Sequence, residues 1–254
     1  TLEHLASNAF GQNLTVGIGW FTEESTKYFP YRYAGSGDRD GDKTNHDRDF
    51  ADITVDYRST LSLDLGDNFS TETSAGLQGN FTNTTRVEAE GNDFPAPGVT
   101  TVSAASVTSG TETQVEEINA GVFAQETFGW QDKLFLTGGI RIDGNSAFGN
   151  EFSTQAYPKA SLAYNISDES FWPSDFWSSM KIRFAYGTSG VAPAQFAADR
   201  TFSPISALQG EPGVTPGNRG DPTLGPERSV EYEAGFDAGL LEDRVGVTFT
   251  AFHQ

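Results

Sequence analysis

The stretch Ile53-Thr54-Val55-Asp56-Tyr57-Arg58-Ser59-Thr60-Leu61-Ser62-Leu63-Asp64-Leu65 decides the fold class. Its odd positions read Ile, Val, Tyr, Ser, Leu, Leu, Leu, and its even positions read Thr, Asp, Arg, Thr, Ser, Asp. Successive side chains of a β-strand point to opposite sides, so the segment has one apolar face and one polar, charged face. The alternation lasts about twice as long as an average soluble strand and meets the roughly 9–11 residues that a tilted membrane strand requires.

The same period of two recurs along the chain. It is carried by Leu14, Val16, Ile18 and Trp20, then by Leu134, Leu136, Ile140 and Ile142. Ala160, Leu162, Tyr164 and Ile166 follow, then Met180, Ile182, Phe184 and Tyr186. Val230, Tyr232, Ala234, Phe236, Ala238 and Leu240 precede a last face of Val245, Val247, Phe249 and Ala251. The stretch 69–86 alternates more weakly, and in 116–128 the face Ile118, Ala120, Val122, Ala124 runs into Glu126, which predicts a bulge or register change. No apolar spacing holds a helical period over three turns. The expectation is an all-β chain of about nine antiparallel strands.

The connections sort the architecture. Those at 66–68, 129–132 and 241–243 are short and 167–178 is intermediate, whereas 23–49, 87–115, 144–155 and 189–228 are long. Short turns on one side and long loops on the other predict an up-and-down transmembrane β-barrel. Trp130, Trp172 and Trp177 fall at short-turn ends and Trp20 at a long-loop end, where a membrane–water interface solvates an amphipathic ring. A passive porin-like barrel shares this wall pattern, and a soluble carbohydrate-binding β-sandwich is the remaining alternative.

Composition narrows the function. The chain has 254 residues, 16 Lys+Arg, 35 Asp+Glu, no cysteine and a net charge of −19. Such a balance excludes a nucleic-acid binder, whose affinity comes from neutralising phosphates. The absence of cysteine excludes disulfide scaffolds and thiolate chemistry. Mean hydropathy is −0.43, and no apolar run approaches a membrane helix, which leaves membrane strands open.

Catalytic patterns are poor, and no enzyme activity is expected. His4, His46 and His253 form no His-x-x-x-His pair. Glu231, Glu233 and Asp237 share a strand face, which suggests a polar lumen wall rather than the opposed carboxylates of a glycosidase. In Asp38-Arg39-Asp40-Gly41-Asp42, the residues Asp38, Asp40 and Asp42 space carboxylates as hard-cation loops do. They are candidate calcium ligands, set against a plain solvated external loop. No other cofactor is expected. Tyr28, Phe29, Tyr31 and Tyr33 suit either stacking on a ligand or anchoring that loop. The segment 189–228 is too rich in Pro and Gly for a ladder and reads as an external loop. Loops 23–49, 87–115 and 189–228 are the candidate ligand-binding segments, because specificity usually sits on loops carried by a rigid scaffold.

Four motifs add a resemblance. The run Phe123-Ala124-Gln125-Glu126-Thr127-Phe128-Gly129-Trp130-Gln131-Asp132-Lys133-Leu134-Phe135-Leu136-Thr137-Gly138-Gly139-Ile140-Arg141-Ile142-Asp143, with Ser146-Ala147-Phe148-Gly149 after it, resembles the barrel of TonB-dependent outer-membrane receptors of the SusC/RagA-like branch. Tyr157-Pro158-Lys159-Ala160-Ser161-Leu162-Ala163-Tyr164-Asn165-Ile166-Ser167 is similar to its next strand, and Lys181-Ile182-Arg183-Phe184-Ala185-Tyr186-Gly187-Thr188-Ser189-Gly190, with Pro193 after it, to the following strand and loop start. Gly220-Asp221-Pro222-Thr223-Leu224-Gly225-Pro226-Glu227, then Glu231, Glu233, Gly235 and Asp237, resembles its loop-to-strand motif. The resemblance implies consecutive strands of a barrel of about 22, located in the bacterial outer membrane. It also implies nutrient import with energy from the TonB complex, and a SusD-like lipoprotein as partner. Residues 1–254 read as part of that barrel domain, without signal peptide, plug domain or terminal strand.

Overall fold

A computed structural model describes residues 1–33, 40–146, 154–173, 176–206 and 210–254. Twelve strands are present in chain order: β1 (Leu2–Ser7), β2 (Phe10–Phe29), β3 (Asp42–Asp64), β4 (Phe69–Asn92), β5 (Val107–Trp130), β6 (Leu134–Asn145), β7 (Gln155–Asn165), β8 (Trp177–Val191), β9 (Phe202–Ser206), β10 (Pro212–Pro216), β11 (Glu227–Leu240) and β12 (Val245–His253). Ten form one sheet in the order β1-β2-β3-β4-β5-β6-β7-β8-β11-β12, and β9 pairs only with β10. The pairings β1–β2, β5–β6, β6–β7, β7–β8, β8–β11 and β11–β12 are antiparallel, each wall strand lying beside the next wall strand of the chain. Among the described residues there is no α-helix, only two single-turn 3-10 helices. Among the described residues the ten wall strands follow one another in a single sheet, the order of an up-and-down wall and not of a β-sandwich.

The chain divides into two compact units. The first comprises Thr1–Thr15, Val55–Gly79 and Asn119–Gln254. Its registers set side chains in rows across the sheet. One row runs Trp130, Leu134, Tyr164, Ile182, Phe236, Phe249, and the next runs Phe128, Leu136, Leu162, Phe184, Ala234, Ala251. Rings meet along this face: Phe69 lies 5.5 Å from Phe128, Tyr186 5.2 Å from Tyr232, and Phe236 stacks on Phe249 at 5.7 Å. Yet Leu136, Ile140, Phe184 and Phe249 all remain exposed. A continuous apolar face of this extent calls for a cover other than water.

The opposite face of the same unit is polar and internally bonded. Arg141 pairs with Asp143 at 2.7 Å and donates to Gln78, whose amide in turn donates to Asp56. Arg183 pairs with Asp237 at 2.9 Å, approaches Glu233 at 3.9 Å and reaches Thr250 at 3.4 Å. Gly235 stands between Arg183 and Thr250 in register, where a Cβ would meet Phe249 O at 2.5 Å.

The second unit comprises Val16–Thr54 and Asn80–Ile118. Phe21 stacks on Phe50 at 4.9 Å with the Arg48 guanidinium 5.3 Å from the Phe21 ring. His46 faces Glu88 at 3.5 Å, and Asp52 accepts from Asn80 at 2.7 Å and from Thr82 at 3.1 Å.

Three expectations change. A tenth wall strand, β1, was hidden because neither of its faces is uniformly apolar and its register shifts between Leu5 and Ser7. The second change is length: β2 to β5 run 20, 23, 24 and 24 residues, so 23–29, 42–49, 87–92 and 107–115 are strand rather than loop. In β2 the apolar alternation ends at Trp20, and Thr22, Glu23, Glu24, Ser25, Thr26 and Lys27 are polar on both faces. A ladder with water on both sides has no hydrophobic period to read, though its backbone still pairs. Trp20 therefore sits mid-strand, not at a strand end. Finally, the Pro-rich segment does hold a ladder. Pro204, Pro212 and Pro216 all fall in the pairs 214↔204, 212↔206 and 216↔202. These are alternate pairs, the ones whose N–H groups point away from the partner strand, so the missing donors cost nothing. The flanking bond from Gly217 N to Thr201 O at 3.0 Å keeps the same parity.

Candidate functional site

The polar face has a recess of about 480 Å³ in the first unit, lined among others by Thr137, Lys159, Ser161, Gly187, Glu231 and Glu233. Its geometry follows from register. Gly139 pairs with Lys159, Lys159 with Gly187, and Gly187 with Glu231, which sets these residues in one row of the polar face. Thr137, Ser161, Ala185 and Glu233 form the row beside it. A Cβ on Gly187 would meet nothing within 4 Å, so the row has a gap at its centre. Glu231 and Glu233 lie two residues apart on one face of one strand, and Glu233 faces Arg183 at 3.9 Å. They are not the opposed carboxylates glycoside hydrolysis needs.

The predicted irregularity at Glu126 does not occur in the β5–β6 pairing. Register between β5 and β6 runs unbroken from Asn119↔Asn145 to Trp130↔Leu134, and Glu126 stays on the apolar face with Phe128. Its carboxylate accepts hydrogen bonds from the Thr71 hydroxyl and, at 2.6 Å, from the Thr73 hydroxyl. Two donors on the adjoining strand satisfy the charge locally, so the ladder has no need to rotate it away.

The acidic loop is described only in part, because Asp38 lies outside the described residues. The motif residues Ala147, Phe148 and Gly149 do so too. Gly41 is buried at φ +83°, and a Cβ there would meet Phe29 O at 2.8 Å. The Asp93 and Phe94 amides donate to the carbonyls of Gly41 and Asp40 at 3.2 and 3.0 Å. The glycine thus serves a tight backbone crossing. Among the described residues, no group of three or more His, Asp or Glu is placed to hold a metal ion. The nearby aromatic residues engage one another: Tyr28 meets Phe94 edge-on at 6.0 Å, and Phe29 stacks with Tyr33 at 5.6 Å.

The described residues between β8 and β11 are tied together by hydrogen bonds. Asn218 donates its side-chain amide to the carbonyls of Phe196 and Ala197 at 2.9 and 3.3 Å. Asp221 accepts from the Thr223 hydroxyl at 2.6 Å and from the Thr223 amide at 2.9 Å. These bonds hold its carboxyl below the ordinary value of 3.8. At the other ends of the strands the turns are tight. Gln131 and Asp132 adopt φ of 52° and 55°, which closes the β5–β6 hairpin through a Lys133 N to Trp130 O bond of 3.0 Å. Trp172 donates its indole N–H to Trp177 O at 2.9 Å.

The family model for TonB dependent receptor-like β-barrels matches residues 1–254, the whole chain. The chain belongs to the TonB-dependent receptor β-barrel family. TonB-dependent receptor P39 of Formosa agariphila is 27% identical over 143 residues, covering 56% of this chain and 14% of that protein. TonB-dependent receptor P26 of the same organism is 26% identical over 144 residues, covering 53% and 14%. The chain therefore spans about one-seventh of the length of these curated relatives. Among solved structures, the RagAB peptide transporter superposes with a TM-score of 0.88 at 12% identity, covering 98% of this chain and 28% of that one. The siderophore receptor PiuA from Acinetobacter baumannii superposes at 0.57 and 12% identity, covering 98% and 38%. At such identity both likenesses concern the fold. For a TonB-dependent receptor barrel segment, the two faces take their meaning. The aromatic, aliphatic face is the outer wall and the Arg141, Arg183 and Glu231 face lines the lumen. Sequence reasoning identified Glu231 and Glu233 but overlooked Lys159 and Gly187, because only strand register reveals that they share a row with Glu231.

Proposed function

We propose that this chain forms part of the wall of an outer-membrane receptor that imports a nutrient using TonB-derived energy. The observation that carries the reading is the two-faced, ten-stranded sheet in a chain whose whole length matches the family. Long connections on one side, including the β8–β11 segment, are the ligand-capturing candidates within 23–49, 87–115 and 189–228, and a SusD-like lipoprotein is the proposed lid. The lumen wall supplies polar contacts along the path, and the short turns face the energised side. The test is uptake of the receptor's nutrient by cells carrying the complete receptor. Import that stops on dissipating the proton-motive force or deleting the energy-coupling protein supports the reading. Import that continues unchanged under both treatments assigns the barrel to passive diffusion instead. Calcium at Asp38, Asp40 and Asp42 is a separate proposal, supported by the alternating carboxylates and tested by calcium titration of the complete receptor against an Asp40→Asn, Asp42→Asn variant.

A further inference from the structure

On the polar face of the first unit Arg141 is paired with Asp143, and Arg183 with Asp237 and Glu233. Lys159 and Glu231, like Arg58 and Lys181, form no ion pair among the described residues, and Lys159 and Glu231 line the same recess of about 480 Å³. They stand on either side of Gly187 in a single row, and nothing fills the space above that glycine. The Lys159 stem lies across Gly139, where its Cε would be 3.0 Å from an added Cβ, so the chain leans away from Glu231 and the gap stays open. With the Lys159 head displaced over the Gly139 strand, three strand spacings, about 14 Å, separate it from the Glu231 strand, and a hydrogen bond at each end leaves roughly 9–10 Å for a solute. The hydroxyl residues Thr137 and Ser161 lie in the row beside the gap, and Ser189 also lines the recess.

We propose that this recess is a lumen-wall subsite for a linear zwitterion, a solute whose carboxylate meets Lys159 and whose ammonium meets Glu231, with about 10 Å between its charges. The volume lies in the ordinary range for small-molecule pockets. Opposite charges on a shared floor discriminate by sign and by span: a cation or an anion alone satisfies only one wall, and a neutral solute leaves both unpaired. Gly187 is the specificity element, because any side chain there would occupy the gap. The proposal rests on the reading of the chain as part of an importer, and it names the chemistry of what passes this wall.

Calorimetry on the complete receptor, purified in detergent and without an energy source, tests it. The probes are triglycine and 8-aminooctanoate, which place an ammonium and a carboxylate about 10 Å apart with and without peptide bonds, and N-acetyl-triglycine amide, which carries neither charge. At least one zwitterion is expected to bind, at least tenfold tighter than the blocked compound. Lys159→Met and Glu231→Gln should each weaken it by about tenfold, Lys159→Arg should retain it, and Gly187→Val should abolish it. Binding of triglycine alone assigns the subsite to peptides, and binding of both assigns it to ω-amino acids as well. Equal binding of blocked and free compounds, no binding of either zwitterion, or unchanged affinity in the variants overturns the proposal. So does a loss of barrel stability without a change in affinity, which would assign Lys159 and Glu231 to another segment of the receptor. Loss of energised uptake dependence with binding intact would contradict the importer reading and leave the subsite standing.

Discussion

Replacing Ile140 by arginine measures how the wall meets lipid. Ile140 pairs with Ala124 and Pro158, lies on the apolar face and is 45% exposed. It is six residues beyond Leu134, which faces Trp130 at the short-turn rim. At about 3.4 Å per residue and a tilt near 40°, that places it about 15 Å above the rim. The apolar band of such barrels is about 25 Å tall, so Ile140 is close to its midplane. An outward arginine there should cost about 2–4 kcal/mol, against about 0–1 kcal/mol for Leu134→Arg at the interface. The sequence supplies its own control, since the native Arg141 sits at the same depth on the other face, held by Asp143. Thr137→Arg extends that control. It gives up the 3.1 Å hydroxyl contact with Thr127 and should cost about 1 kcal/mol or less. The assay is reversible denaturant unfolding of the complete receptor in lipid vesicles, followed by gel mobility. Costs for Ile140→Arg and Thr137→Arg that agree within error would refute the assignment of faces.

Other perturbations probe separate elements. Gly41→Ala introduces a Cβ at φ +83° against Phe29 O, so it should destabilise the β2–β3 end by about 1–3 kcal/mol, seen as faster hydrogen exchange at Asp93 and Phe94 with the wall unchanged. Arg183→Leu strips the partner from Asp237 and Glu233. With both partners more than a third exposed, the loss should be about 1 kcal/mol and shrink as salt is raised. The Asp221 turn gives a pH signature. Its carboxyl is lowered by the bond from the Thr223 hydroxyl first and from the Thr223 amide second, so the turn is fully stabilised above pH 3.8 and loosens as pH falls through the depressed value. Amide exchange at Thr223 should stay protected at pH 5 and lose protection only below that range, and Asp221→Asn should remove the pH dependence.

The wall was legible where one face is greasy and the other wet. Leu134, Leu136, Ile140 and Ile142 stand out because lipid demands an unbroken apolar face, and register then follows from turns such as Gln131-Asp132. Legibility stops where water lies on both sides. The outer parts of β2 and β3 keep pairing without any hydrophobic period, as between Thr22 and Asp49, whose side chains bond at 2.7 Å. Composition also misled at β9 and β10, since a count of prolines ignores which parity they occupy. Glu126 misled for the opposite reason, because its satisfaction depends on Thr71 and Thr73, more than fifty residues away. The recess is the extreme case. Lys159, Gly187 and Glu231 are unremarkable in their own segments, and only two successive registers bring them into one row.

A membrane wall strand such as β6 has lipid on one side and water on the other. A nitroxide placed in turn at each of residues 134–142 of the complete receptor in lipid vesicles reads this directly, through relaxation by oxygen from the lipid and by a water-soluble nickel chelate. Oxygen accessibility should peak at 134, 136, 138, 140 and 142 and nickel accessibility at 135, 137, 139 and 141, in strict opposition. Accessibility to both reagents rising and falling together, or nickel reaching every position, would contradict it.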